Sequence, residues 1–162
     1  MHKFLHRIDN AITPLRTFAN FAGAPLLDLI IRLYLANDFF KSGITRFNDW
    51  KNASFDNQIF LFSAEHPVPF LPPEAAAYVT MSAELILPAL LVVGLFGRAA
   101  AAGLLIMTAV IEFTYGHFDV HILWAFLAAS ILVRGPGALS LDTVLLKILR
   151  RVNTKNPAAS TL

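Results

Sequence analysis

Residues 74–96, EAAAYVTMSAELILPALLVVGLF, form the apolar stretch around which the rest of the chain is organised. At about 1.5 Å per residue a helix over this stretch would be roughly 35 Å long, enough to cross the hydrocarbon core of a bilayer. Glu84 is the one charged residue inside its borders, and it lies near the middle. A carboxylate at that depth is energetically costly unless it is protonated or paired. We therefore expect other helices to cover Glu84.

The composition indicates a membrane protein. Hydrophobic residues make up 56% of the 162 residues and charged residues only 15%, whereas soluble domains carry about 25% charged residues. The mean hydropathy is +0.60. Cysteine is absent, which excludes disulfides, thiolate metal sites and CxxC redox chemistry. The net charge of +2 is too small to indicate a nucleic-acid partner.

The fold class predicted from these patterns is an all-α bundle of four transmembrane helices. The bundle occupies residues 21–135, and a long outer loop, 44–73, follows its first span. Amphipathic interfacial segments are predicted at both ends, and Pro14 should interrupt the first of them. The predicted spans are about 25–43, 74–96, 98–115 and 117–133, flanked by the N-terminal segment 1–20, a C-terminal amphipathic helix 136–152 with Ser140 as its N-cap, and a disordered tail 153–162.

The basic residues predict the orientation. Two of them, Arg46 and Lys51, fall on one side of the predicted spans. Nine fall on the other side: Lys3, Arg7, Arg16, Arg98, Arg134, Lys147, Arg150, Arg151 and Lys155. Because basic residues favour the cytoplasmic side, both termini and the turn between the second and third spans should be cytoplasmic.

A first candidate site lies within the predicted bilayer. Arg32 and Glu84 are both near the middle of their spans, and an ion pair between them would lower the cost of burying each. Asp28 is four residues before Arg32 and could share the same arginine. Two interpretations stay open: a structural pair that fixes helix packing, and part of a proton or quinone site.

A second candidate site surrounds the outer turn between the third and fourth spans. Its members are polar and ionisable residues: Glu112, Tyr115, His117, Asp119 and His121, with His66 approaching from the long loop. His117 and His121 share a helix face, so with Glu112 they could bind a metal ion. A quinone headgroup or proton-relay site and a merely solvated interface are the alternatives. Haem is disfavoured, because two histidines on one helix cannot take opposite faces of a porphyrin, and the sequence shows no evident cofactor motif.

Three stretches together resemble the DoxX family of membrane proteins. They are RLYLANDFFKSGITRFNDW, PVPFLPPEAAAYVTMSAELILPALLVVGLFGRAAAAGLLIMTAVIE and ILVRGPGALSLD, in that order. The resemblance implies a four-helix bundle in the bacterial inner membrane. The family is named after a subunit of a thiosulfate:quinone oxidoreductase, and other members resemble membrane partners of superoxide dismutase and sulfurtransferase proteins. A subgroup similar to this sequence is encoded beside iron enzymes that modify metal-binding peptides.

The first function hypothesis is the membrane subunit of a quinone-linked oxidoreductase or of an oxidative or metal-stress system. Any redox centre would then belong to a partner protein, so an intrinsic enzyme activity stays open. The alternative is a non-catalytic anchor or assembly factor for a partner, and the third is a small-solute or metal transporter. The expected partners are the lipid bilayer, another protein and further copies of this chain.

Overall fold

A computed structural model describes residues 2–65, 67–116 and 118–155. The regular secondary structure of these residues is all helical, which confirms the predicted class. The helices are α1 (His2–Phe18), a π-helical turn (Ala19–Gly23), α2 (Ala24–Lys51), α3 (Asp56–Ala64), α4 (Pro73–Val93), α5 (Gly97–Thr114), α6 (Asp119–Arg134) and α7 (Leu141–Lys155).

Four helices, α2, α4, α5 and α6, pack side by side as a bundle. α2 packs chiefly against α4 and α5 against α6, while α4–α5 and α2–α6 contacts close the bundle. We call the end where α4 stops and α5 begins the Gly94 end, and the end where α5 stops and α6 begins the Tyr115 end. The short helix α3 lies against α4.

Two apolar clusters hold these helices together. The larger one joins all four bundle helices and is rich in alanine, which lets helix backbones approach closely: Leu35, Ala36, Phe39, Leu91, Ala100, Ala101, Leu104, Ala128 and Ile131. The smaller cluster fixes α3 and the residue before it to the first half of α4: Phe55, Phe62, Ala76, Ala77 and Met81. Apolar packing therefore holds α3 on the first half of α4.

The outer surface of the bundle is apolar, as a bilayer requires. Large side chains such as Phe21, Ile86, Ile106 and Phe126 are more than half exposed. Three described helical stretches are long and apolar enough to cross a membrane: Asp9–Lys51, Pro73–Val93 and Gly97–Thr114. At 16 residues, α6 is shorter than these, so the four-span count stays a prediction.

α2 is longer than the sequence pattern predicts. The first span was expected to end at Gly43, yet α2 continues to Lys51. Gly43 does not terminate the helix, because it is buried where α2 crosses α4. A Cβ atom built on it would lie 2.8 Å from the backbone oxygen of Glu84. The glycine therefore serves the close approach of two helices.

The N-terminal helix also differs from expectation. α1 runs through Pro14, where an interruption was expected, and continues through the π-helical turn into α2. Thr13 and Thr17 donate side-chain hydrogen bonds to the carbonyls four residues before them. The described side chains of α1, from Asp9 to Phe18, are exposed, so this part of α1 does not contribute to the bundle core.

A polar clamp fixes the start of α7 to the Gly94 end. The backbone amides of Phe96 and Gly97 each donate to a carboxylate oxygen of Asp142 at 2.9 Å. The Asp142 amide donates to the carbonyl oxygen of Gly94, also at 2.9 Å. Ser140 is the predicted N-cap: its hydroxyl accepts from the Thr143 amide at 3.3 Å. α7 is described as far as Lys155, past the expected end at 152, and residues 156–162 of the expected tail lie outside the described residues.

Candidate functional site

A cavity of about 480 Å³ opens among the four bundle helices and the segment that follows α3. Most of its wall is apolar: Phe39, Phe62, Val68, Leu71, Val79, Ile106, Met107, Val110 and Ile111. The polar side chains that face it are Asp38, Ser42, Arg46, Thr80, Glu84, Thr114, Tyr115, His121 and Trp124. Its size and mixed lining are typical of sites for small organic molecules.

Glu84 is the buried carboxylate on one wall of this cavity, and α2 supplies both of its partners. Arg46 Nε donates to Glu84 Oε2 at 2.8 Å, and Ser42 Oγ donates to Oε1 at 3.1 Å. Only 3% of the Glu84 side chain and 18% of the Arg46 side chain are exposed. Both carboxylate oxygens are thus engaged, as a charge in apolar surroundings requires.

The predicted pairing of Glu84 with Arg32 is wrong. Arg32 is buried, and it donates to two carbonyl oxygens, that of Leu91 at 3.2 Å and that of Leu139. Leu91 is seven residues from Glu84, which is about 10 Å along α4. Arg32 therefore lies by the carboxyl end of α4, where free carbonyls and the helix dipole attract a cation.

Asp28 is near enough to Arg32 for Coulombic attraction, as expected, but its ion-pair partner is Arg134. The Asp28 carboxylate pairs with Arg134 Nη2 at 3.1 Å, so α2 and the end of α6 are joined by an ion pair. Arg32 Nε has no hydrogen-bond partner among the described residues. Arg32 and Asp28 thus belong to the Gly94 end and do not reach the cavity.

The Arg46 guanidinium continues into a chain of hydrogen bonds. Its Nη1 donates to Gln58 Oε1 on α3, and Gln58 Nε2 donates to Asp49 Oδ2 at 2.6 Å. The guanidinium carbon lies 5.3 Å from the centre of the Phe62 ring, within the range of a cation–π contact. This chain ties α2, α3 and α4 together around the buried carboxylate.

Sequence reasoning missed Arg46 and Ser42, although a signal for them exists. Asp38, Ser42, Arg46 and Asp49 follow one another at intervals of four, four and three, so they share one face of a continuous helix. A span that ends at Gly43 leaves Arg46 and Asp49 outside the predicted helix, so the shared face is not apparent from it. A helix read through to Lys51 would have placed all four residues on the same side.

A second polar group lies on the α5–α6 side of the cavity. His121 Nδ1 and Glu112 Oε2 are 2.6 Å apart, across the turn at the Tyr115 end. Trp124 Nε1, one turn further along α6, donates to Asp38 Oδ2 at 3.0 Å. The His121 and Trp124 rings are in contact, with centroids 5.4 Å apart. A buried histidine held by a carboxylate has its second ring nitrogen available for a bound molecule.

The second predicted group is brought together in part. Glu112 and His121 meet, and Tyr115 lines the same cavity. Asp119 is exposed at the start of α6, away from the cavity lining. His66 and His117 lie outside the described residues, so the metal site predicted from His117, His121 and Glu112 stays a prediction. Among the residues that are described, no three acidic or histidine side chains gather as a metal site would need.

Comparison with known proteins identifies the family. The sequence profile of the DoxX family matches residues 27–117, more than half of the chain. A protein of Haemophilus influenzae described as uncharacterized is 28% identical over 132 residues, which cover 74% of this chain and 83% of that protein. No solved structure matches the chain. The chain therefore belongs to the DoxX family of membrane proteins.

Proposed function

We propose that this protein is a membrane subunit that binds a quinone headgroup in the cavity among α2, α4, α5 and α6. The observation that carries the proposal is His121, which faces the same apolar-walled space as Glu84 and Asp38 and is held by Glu112. A quinone carbonyl needs a hydrogen-bond donor, and its ring and isoprenoid tail need an apolar wall. Both lie within one cavity of suitable size.

The two polar walls have different capacities for proton transfer. Glu84 is engaged through both oxygens by Arg46 and Ser42, so neither oxygen is left without a partner in the described structure. His121 has only Nδ1 committed to Glu112 in the described contacts. When Glu112 holds a proton and donates it to Nδ1, the ring proton is on Nε2, and His121 would donate it to a bound quinone carbonyl.

A quinone takes up two electrons and two protons when it is reduced, and the electrons would come from a reduced centre on a partner protein. The chain's own part is to bind, orient and protonate. Trp124 and Phe39, whose ring centroids are 5.0 Å apart and whose planes are tilted by 50°, lie beside Asp38 and give the headgroup an aromatic wall.

The test uses Trp124 as the reporter. The chain has two tryptophans, and Trp50 is half exposed outside the cavity, so Trp50→Phe leaves a single fluorophore in the cavity wall. In nanodiscs, a short-tailed ubiquinone analogue should quench this fluorescence with a saturable curve. Adding His121→Leu should weaken binding about tenfold, the effect of losing one strong hydrogen bond, and His121→Gln, which keeps a donor, should retain part of it.

Asp119→Asn is the matched control, because Asp119 is on the same helix and exposed. Its quenching curve should coincide with that of the Trp50→Phe parent. Quenching that rises linearly without saturation, or that is equal in the His121→Leu and Asp119→Asn variants, would contradict a quinone site here.

A second candidate function, an anchor for a partner protein, is favoured by the position of α1. The described side chains of this helix, from Asp9 to Phe18, are exposed, and the apolar Ile12, Leu15 and Phe18 among them offer a surface to a partner. An anchor would keep its partner when His121 is replaced. Co-purification of a partner with the His121→Leu variant, together with unsaturable quenching, would support the anchor over the quinone subunit.

A further inference from the structure

A second groove, of about 760 Å³, lies at the Gly94 end, far from the cavity described above. It is bounded by the first turn of α5, the connection from α6 to α7, and the first half of α7. Two arginines line it, Arg98 from α5 and Arg134 from the end of α6. No residue is shared between the linings of the two spaces.

The two arginines keep donors available for an anion. Arg98 is exposed, and its described hydrogen bond is from Nη2 to the Val133 carbonyl oxygen at 3.3 Å. Arg134 is half exposed, and its Nη2 pairs with Asp28. Each guanidinium carries five N–H donors in a planar fork, so the donors beyond these contacts can serve a phosphate. The one carboxylate in the groove lining, Asp142, already accepts the amides of Phe96 and Gly97.

α7 adds apolar surface beside this cationic groove. Six of its aliphatic side chains are between 43% and 62% exposed: Leu141, Val144, Leu145, Leu146, Ile148 and Leu149. The clamp at Asp142 holds the helix level with the start of α5, where a span meets the membrane surface. A helix with aliphatic residues on one part and basic residues on another is suited to the boundary between headgroups and acyl chains.

We propose that this groove binds the headgroup of one anionic phospholipid. The forks of Arg98 and Arg134 contact the phosphate, and the first half of α7 lies along the acyl chains. Two cations and an adjoining aliphatic surface match the headgroup and the acyl chains of a lipid, whereas a free anion would use the cations only. The predicted orientation places this lipid in the cytoplasmic leaflet.

The experiment measures thermal unfolding of the purified full chain in an uncharged detergent. Phosphatidylglycerol, phosphatidylcholine and inorganic phosphate are titrated separately. Phosphatidylglycerol should raise the unfolding temperature with a saturable curve, and the other two probes should not. Arg98→Gln should weaken the titration midpoint roughly fivefold, and the Arg98→Gln/Arg134→Gln double variant should weaken it further, since each basic residue contributes independently near an anionic surface.

Two further variants keep the result interpretable. Lys51→Gln removes an exposed cation at the far end of α2 and should leave the midpoint unchanged. Arg98→Lys keeps the charge and should bind more tightly than Arg98→Gln, which separates lipid binding from a loss of folding. An equal response to phosphatidylcholine or to inorganic phosphate, or an equal loss in Lys51→Gln and Arg98→Gln, would overturn the proposal.

Discussion

Glu84 owes its stability in an apolar helix to residues of α2 that lie one and two turns past Asp38. Ser42 and Arg46 each bind one of its oxygens, and Gln58 and Asp49 in turn hold Arg46 in place. Arg32, a buried charge on α2, instead donates to two backbone carbonyls. The two buried ions, Glu84 on α4 and Arg32 on α2, are thus stabilised in two different ways, by an ion pair and by carbonyls at a helix end.

A double-mutant cycle tests whether Glu84 is coupled to Arg46. Glu84→Ala and Arg46→Ala should each destabilise the protein, and the double variant should lose less than the sum, with a coupling energy of about 1–3 kcal/mol. The physical reason is that each single change strands the other charge. The measurement is the free energy of unfolding in detergent for the four proteins.

The matched control is the cycle between Glu84→Ala and Arg32→Ala. These residues share no partner in the described structure, so their effects should add within about 0.5 kcal/mol. If Arg32 rather than Arg46 showed the coupling, the assignment of Glu84 to the α2 network would fail.

At the scale of elements, the all-α class and the apolar segments were accessible from the sequence, but the register between helices was not. Hydropathy indicates that Arg32 and Glu84 are both buried, yet it carries no information on how far α2 slides along α4. In the structure Arg32 is level with Leu91, while Gly43 is level with Glu84. Hydrophobic periodicity does not reveal a shift of two turns of α2 along α4, although such a shift changes the polar partners of Arg32 and Glu84.

Trp124 and Glu112 illustrate the same limit in the candidate site. Glu112 and His121 were expected to meet because a tight turn joins their helices, and they do. The contact of Trp124 with Asp38 joins residues that are 86 positions apart in sequence, and no local spacing predicts it. Contacts between residues close in sequence can be predicted from their spacing, whereas contacts between helices distant in sequence depend on how the bundle assembles.

The contact between α2 and α4 depends on Gly43, and a methyl group there tests it. In Gly43→Ala the new Cβ atom would lie 2.8 Å from the Glu84 carbonyl oxygen and 2.9 Å from its carbon. Backbone atoms cannot move aside as a flexible side chain can, so we expect a loss of about 1–3 kcal/mol in the free energy of unfolding.

Gly23→Ala is the control for this change, because nothing lies within 4 Å of the position a Cβ would take. There the helix propensity of alanine should make the change neutral or stabilising by up to about 1 kcal/mol. Equal effects of the two substitutions would show that helix propensity, and not the α2–α4 contact, governs the response.

At the scale of the whole molecule, the two terminal helices relate to the bundle in opposite ways. The described side chains of α1 are exposed, whereas α7 is fixed by three hydrogen bonds of Asp142 and by the Arg32 contact to Leu139 just before it. Removal of residues 2–18 should therefore lower the unfolding temperature by no more than about 4 °C.

Truncation after Ser140 is the comparison, since it removes α7 together with Asp142 and leaves the Phe96 and Gly97 amides without their acceptor. Its unfolding temperature should fall by clearly more than that of the variant lacking α1, although the two deletions are of similar length. Circular dichroism in detergent reports both. A larger fall on loss of α1 would show that α1 packs on the bundle after all.

The Asp142 clamp also has a consequence for how the protein is made. Domains are synthesised from the N-terminus, at about 5–20 residues per second, so the turn at residues 94–97 leaves the ribosome well before its acceptor does. Until residues 139–142 emerge, the start of α5 has two amides unsatisfied and Arg32 has Leu91 as its one carbonyl partner. Residues 139–142 complete hydrogen bonds of α2 and α5, so a nascent chain halted before residue 139 lacks contacts that hold the Gly94 end together.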